Sequence, residues 1–124
     1  MDLELTAFVN GPVTVVTVVG EVDASTSPRL QECLDVHLGS GRTRLVLDVS
    51  GMSFLDSTGL RVLVGRLRLA KLHGGSIRLA CPTPRIRRIL TITGVDSIFA
   101  LDTVLADSIA ACAPRVKGAG SITS

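Results

Sequence analysis

The stretch Val13-Thr14-Val15-Val16-Thr17-Val18-Val19 constrains this chain more than any other. Every residue in it is β-branched, so each loses side-chain freedom in a helix and packs well on a pleated surface. The run shows too little polar alternation for a half-wet strand and reads as a buried one. Arg44 to Val49, with Leu45, Val46, Leu47 and Val49, reads as a second strand. Strands that read this way belong to sheets covered by helices, and the rest of the chain supplies helical spacings.

Leu3 to Val9 reads as a first strand. Asn10-Gly11-Pro12 is turn chemistry, and Asn-Gly between two β runs predicts a hairpin. Gly20 to Pro28 is a polar loop in which Ser27 before Pro28 signals a helix start, with Ser27 as its cap. Leu30, Cys33, Leu34, His37 and Leu38 follow at helical spacing, and Gly39-Ser40-Gly41 stops that helix. Thr58 to His73 is a helix with the core stripe Leu60, Leu63, Val64, Leu67 and Ala70. Val62 and Leu69 fall off that stripe and are candidate apolar contacts for a partner. Ile77 to Cys81 is a strand. Pro82-Thr83-Pro84 opens a short helix with Ile86, Ile89 and Leu90 inward, closed by Gly94. Ile98 to Leu101 is a brief strand, and Asp102 or Thr103 caps a last helix carrying Leu105, Ile109 and Cys112.

The order is β-β-α-β-α-β-α-β-α, an α/β fold. It predicts a mixed, mostly parallel β-sheet with an N-terminal antiparallel hairpin and about four helices. Residues 1–113 form a single domain, and 114–124, small and polar, are expected to be a disordered tail. Ligands of such sheets bind at the carboxyl ends of the parallel strands. Two loops should meet there, Glu21–Ser27 and Ser50–Thr58.

Composition removes several function classes. The 13 basic and 11 acidic residues leave a net charge of only +2, too balanced for a nucleic-acid surface. With no Trp, no Tyr and three Phe, the chain lacks stacking platforms for single strands. Cys33, Cys81 and Cys112 form no CxxC pair and read as reduced, buried thiols of a cytosolic protein. His37 and His73 are isolated, so no zinc spacing exists. The N-terminus has no signal-peptide pattern and no run reaches the ~20 apolar residues of a membrane span. We expect a cytoplasmic protein with no membrane or direct nucleic-acid partner.

Chemistry concentrates at Phe54-Leu55-Asp56-Ser57-Thr58-Gly59-Leu60, where a strand gives way to a helix. The Ser57 hydroxyl there either caps the helix or is the group on which chemistry acts. GxSxG is missing, since position 55 is Leu, and neither histidine is placed near Ser57, which argues against a hydrolase. GxxxxGK[ST] and GxGxxG are both absent, which argues against a phosphate-cradling loop. Glu21, Asp23, Asp48 and Asp56 all lie near one sheet edge in this reading. A Mg²⁺ site is conceivable, but solvated loop or capping carboxylates explain them better, and we expect no metal and no cofactor. As a phosphorylation target, Ser57 would gain about −1.5 to −2 charge beside Asp56.

Asp48 to Leu60, Asp-Val-Ser-Gly-Met-Ser-Phe-Leu-Asp-Ser-Thr-Gly-Leu, closely resembles the signature of anti-sigma factor antagonists, which are bacterial single-domain STAS proteins. Gly20-Glu21-Val22-Asp23 resembles their second hallmark at the expected distance upstream. The likeness runs from about Leu3 to Ala111 in the same order of elements. It implies a protein that, when dephosphorylated, binds an anti-sigma factor serine kinase of the GHKL (Bergerat ATPase) fold and so frees a sigma factor. It further implies that the kinase phosphorylates Ser57 and the complex dissociates, and that a serine phosphatase restores the active form. The protein is then a kinase substrate and not an enzyme.

On this resemblance Ser57 is the acceptor and Thr58 a possible minor one. The kinase-binding surface would comprise Glu21, Asp23, Ser25, Thr26, Ser27, Asp56, Ser57, Thr58, Gly59, Arg61 and Val62. The sequence departs from the family where many relatives carry Ser in place of Thr58, and Arg61 adds a positive charge in the first turn of the helix. Arg66, Arg68, Lys71, Arg85, Arg87 and Arg88 extend a basic surface, either solvated or selecting an acidic partner. The rival readings are a non-catalytic STAS scaffold for another signalling partner and a nucleotide-binding STAS domain.

Overall fold

The structure is a computed structural model and describes residues 2–114; the tail expected over 114–124 lies outside it except for Pro114. Five strands form one sheet in chain order: β1 (Leu3–Asn10), β2 (Val13–Val22), β3 (Arg44–Leu55), β4 (Ser76–Ala80) and β5 (Leu101–Asp102). β1 and β2 pair antiparallel through the Asn-Gly turn, and every other pairing is parallel. The helices are α1 (Ser27–Gly39), α2 (Ser57–Leu72), α3 (Pro84–Ile92) and α4 (Leu105–Cys112). The predicted α/β order and mixed sheet therefore hold.

Burial explains the composition of β2. Val16 and Val18, with Leu45 and Leu47 of β3, face a core built with α1, α2 and α3. Val13 and Val15, with Val46 and Ala80, face a smaller core closed by Cys112 of α4. Neighbouring residues point to opposite faces, so only a strand covered on both sides needs valine at successive positions.

Several boundaries differ from the sequence expectation, and β2 for one runs on to Val22 where a loop from Gly20 was expected. β3 runs on to Leu55 instead of stopping at Val49. Its second half pairs only with β2, Val19 to Val22, because β4 ends opposite Asp48. Two register shifts, between Thr17 and Val19 and between Gly20 and Glu21, break the alternation there. Of the expected strand Ile98–Leu101 only Leu101 lies in a strand, the two-residue β5; Ile98–Ala100, with Phe99 buried, link it to a preceding 3-10 turn, Val95–Ser97. Asp102 does not cap the last helix, nor does Thr103; α4 starts at Leu105 with no side-chain cap.

The Asp102 carboxylate is held by Arg78 of β4 (Nε–Oδ2 2.9 Å, Nη2–Oδ1 3.2 Å). This bidentate pair ties the short β5 to the sheet. The Arg78 hydrogen bonds hold the Asp102 carboxyl below the usual carboxylate value. A depressed folded-state pKa stabilises the fold above pH ~4, where the unfolded group is also ionised, and the contribution is lost as pH falls through the lower folded value. Asp102→Asn is therefore expected to lower the urea midpoint at pH 7. Its deficit against wild type should shrink as the pH is taken from 5 towards 3. A deficit that is constant over that range would mean the ion pair carries no proton linkage.

Candidate functional site

The carboxyl ends of β2 and β3 advance together past the end of β4, with Val22 opposite Leu55. The Asp56 N–H donates to the Val22 carbonyl at 3.1 Å, which joins the loop after β2 to the turn after β3. Gly59, in the first turn of α2, sits against the same point. A Cβ there would lie 2.6 Å from Val22 Cγ1 and 2.7 Å from Leu55 Cδ1. Gly59 is buried, so it is a packing residue that lets α2 start flush on the two strand ends, and not a contact open to a partner.

Asp56 is the N-cap of α2, its Oδ1 accepting from the Gly59 N–H at 3.0 Å. Ser57 is the first helical residue and is exposed. Of the two roles open to its hydroxyl, capping is thus taken by the neighbouring carboxylate. The Ser57 side chain makes no hydrogen bond among the described residues.

The loop before α1 is built on Asp23. Its Oδ1 accepts from the Ser25 hydroxyl (2.8 Å) and from the backbone N–H groups of Ser25 (2.9 Å) and Thr26 (3.0 Å). The Ser25 hydroxyl bond, then the Thr26 N–H, hold the Asp23 carboxyl below its ordinary value. Thr26 donates its hydroxyl to the Glu21 carbonyl at 2.6 Å and accepts from the Asp23 N–H at 2.9 Å. Thr26 and Ser27 are both buried. Their expected place on the binding surface does not survive: they are the inner frame of this loop. Nor is Ser27 the cap, since α1 already includes it and Thr26 precedes it without a side-chain cap bond. Asp23 and Ser25 are the loop's outward groups. Glu21 is half-buried in β2 opposite Phe54, on the face away from Val22.

Between α1 and α2 runs an open groove of about 800 Å³ lined by Ala24, Pro28, Glu32, Thr58, Arg61 and Gly65, among others. Val62 lies in its floor and is buried, joined to the main core, and Leu69 is half-buried against that core. Both were expected on an outer face. α1 packs along this side of α2, which widens the apolar stripe towards it and leaves Val64 half-buried instead. The basic surface is also smaller than the sequence suggests, because Arg66 pairs with Asp35 of α1 at 2.8 Å.

The carboxylates do not converge. Asp48 lies in mid-β3, where its Oδ1 accepts from the Ser50 hydroxyl at 2.7 Å. Among the described residues no three His, Cys, Asp or Glu side chains are grouped to hold a metal ion. His37 accepts from Arg42 Nε at its Nδ1, 3.1 Å, and His73 lies past the far end of α2. Neither can serve Ser57 as a base. Cys33, Cys81 and Cys112 are free thiols, of which only Cys112 is fully buried. No helix among the described residues is long and apolar enough to cross a membrane.

The STAS domain family model matches residues 4–110. The chain belongs to the STAS family of anti-sigma factor antagonists. It is 37% identical over 83 residues to an anti-sigma-B factor antagonist of Bacillus subtilis, covering 67% of this chain and 75% of that protein. The crystal structure of an anti-sigma factor antagonist from Mycobacterium paratuberculosis superimposes with a TM-score of 0.81 at 29% identity, over 90% of this chain and 94% of that one. The Bacillus cell-fate determinant SpoIIAA, solved in a phosphorylated form, shares the fold at a TM-score of 0.67 and 22% identity, over 87% of this chain and 96% of that one.

Two glycines of α2 give opposite predictions. Gly59→Ala must displace Val22 or Leu55 and is expected to cost roughly 1–3 kcal/mol in urea unfolding. A Cβ at Gly65 meets nothing within 4 Å, so Gly65→Ala is expected to raise stability by up to about 1 kcal/mol through helix propensity. Equal effects of the two substitutions would contradict the packing described for this STAS domain.

Proposed function

We propose that this protein is an anti-sigma factor antagonist controlled by phosphorylation at Ser57. Unphosphorylated, it binds an anti-sigma factor serine kinase of the GHKL fold and so frees a sigma factor. Phosphorylated, it lets the kinase go, and a serine phosphatase resets it. The observation that carries the reading is the idle, exposed Ser57 hydroxyl beside a carboxylate that already caps α2. A serine held that way gives up no hydrogen bond of the fold when it is modified. The names of its relatives support the same class of partner.

The chain acts as substrate and ligand, with no catalysis of its own, and works in the cytoplasm where sigma factors are found. Asp23, Ser25, Asp56, Thr58 and Arg61 surround Ser57 as the proposed contact surface, with Thr58 a minor acceptor. A phosphate on Ser57 brings about −1.5 to −2 charge against an acidic or nucleotide-bearing partner. At ~4 Å and an effective dielectric of ~20 each like-charge pair costs about 4 kcal/mol. A loss of that order weakens binding ~100- to 1000-fold, which is sufficient for a switch.

The test is capture from a lysate of the native host, in ADP and magnesium, on wild type, Ser57→Ala and Ser57→Asp. Wild type and Ser57→Ala are expected to retain a small GHKL-type kinase and Ser57→Asp to lose it. Retention of one protein by all three baits would replace the switch with a constitutive scaffold. With the kinase in hand, Asp56→Asn is expected to keep the helix cap yet slow phosphorylation. A wild-type rate would remove Asp56 from any role in positioning Ser57 or the magnesium nucleotide.

A further inference from the structure

Arg61 is one of the basic side chains that the fold leaves without an internal hydrogen bond or ion pair among the described residues. It is exposed, and among the described residues no carboxylate lies within ion-pair distance of it, whereas Arg66 is engaged by Asp35 and Arg78 by Asp102. It stands four residues after Ser57 on α2, hence one turn on and about 6 Å along the axis. Helical side chains lean towards the N-terminus, so the residue at i+4 covers the residue at i. A guanidinium on that stem, which lines the edge of the α1–α2 groove, is long enough to reach back to a group carried on the Ser57 hydroxyl. Nothing competes at Ser57 itself, since Asp56 bonds the Gly59 N–H.

We propose that Arg61 is an intramolecular clamp for the phosphate carried by Ser57, closing a bidentate guanidinium–phosphate pair over the first turn of α2. The inference rests on phosphorylation of Ser57 as proposed above. The clamp holds the modified side chain in one place and offsets the repulsion from Asp56. Further anionic groups around this end of the molecule are Glu21 and Asp23 on the β2 side and Glu32 across the groove. Further cations are Arg68, two turns on from Arg61 along α2, and Arg85, Arg87 and Arg88 of α3. Only Arg61 is placed within one turn of Ser57 on its own helix.

The test installs phosphoserine at position 57 during translation, without any kinase, in the full chain. It compares wild type with Arg61→Ala, Arg61→Lys and Arg68→Ala by ³¹P NMR titration from pH 4 to 8. The α2 N-terminus and Asp56 act on the phosphate equally in all four proteins. The second phosphate ionisation, ordinarily near pH 6, is expected about half a pH unit lower in wild type than in Arg61→Ala. Arg61→Lys should fall between them, and Arg68→Ala, which removes the same charge out of reach, should stay with wild type. Identical titrations of wild type and Arg61→Ala would overturn the clamp, as would equal shifts in Arg61→Ala and Arg68→Ala, which would mean a diffuse field. Because the phosphate is placed without the kinase, either result stands apart from whether a host kinase uses Ser57.

Discussion

The parallel pairing of the last residues of β2 and β3 governs everything else at this end of the molecule. Val22 opposite Leu55 places two chain reversals side by side, and the Asp56 N–H to Val22 carbonyl bond fixes their separation. With β4 ending earlier, this pair of strands projects from the sheet, and the helices that follow them must start on its tip. Gly59 lets α2 do so closely, and the Asp23 frame turns the chain into α1. Backbone hydrogen bonds of this kind are worth about 1 kcal/mol each. Their effect on position is larger than their effect on stability, because each removes a freedom that the next element would otherwise have.

The division of labour between adjacent residues follows from that geometry. Asp56 satisfies a helix N–H that the fold would leave orphaned, and so releases Ser57 from structural duty. Thr26 and Ser27 look like Ser57 in a sequence, small hydroxyl residues at the start of a helix, yet both are buried and one is committed to backbone partners. A hydroxyl becomes available for chemistry where a neighbour has already met the local hydrogen-bonding need.

Most of the fold was legible because it depends on short-range pattern. The β-branched run of β2, the Asn-Gly hairpin and the glycine stops predict the sheet and the four helices. What escaped depends on contacts between distant segments. Ser50, Gly51 and Ser53 look like a turn, and only pairing with a bulged β2 keeps them extended. Val62 looks superfluous on α2 until α1 is laid beside it. Asp102 before a helix looks like a cap, and only the approach of Arg78 across the sheet shows its other use. For the proposed site, the motif falls at one corner of the fold, but it could not separate exposed groups from framing ones. That distinction is one of burial, and Glu21, Thr26, Ser27, Gly59 and Val62 carry no local sign of it.

The same argument bears on how such a surface changes in evolution. Residues that frame the corner, among them Gly59 and Thr26, are fixed by packing against strand ends and loop carbonyls, so substitution there costs stability before it alters recognition. Arg61 is under no such constraint, because it is exposed and makes no ion pair or side-chain hydrogen bond among the described residues. Surface substitutions of this kind usually move stability by less than ~0.5 kcal/mol. A position of that sort, one turn from the proposed acceptor hydroxyl, can change charge at little cost to the fold while the corner that presents the hydroxyl stays the same. The arrangement separates residues that frame the corner from one that is free to vary, and Gly59 and Arg61 stand in these two roles within the first two turns of one helix.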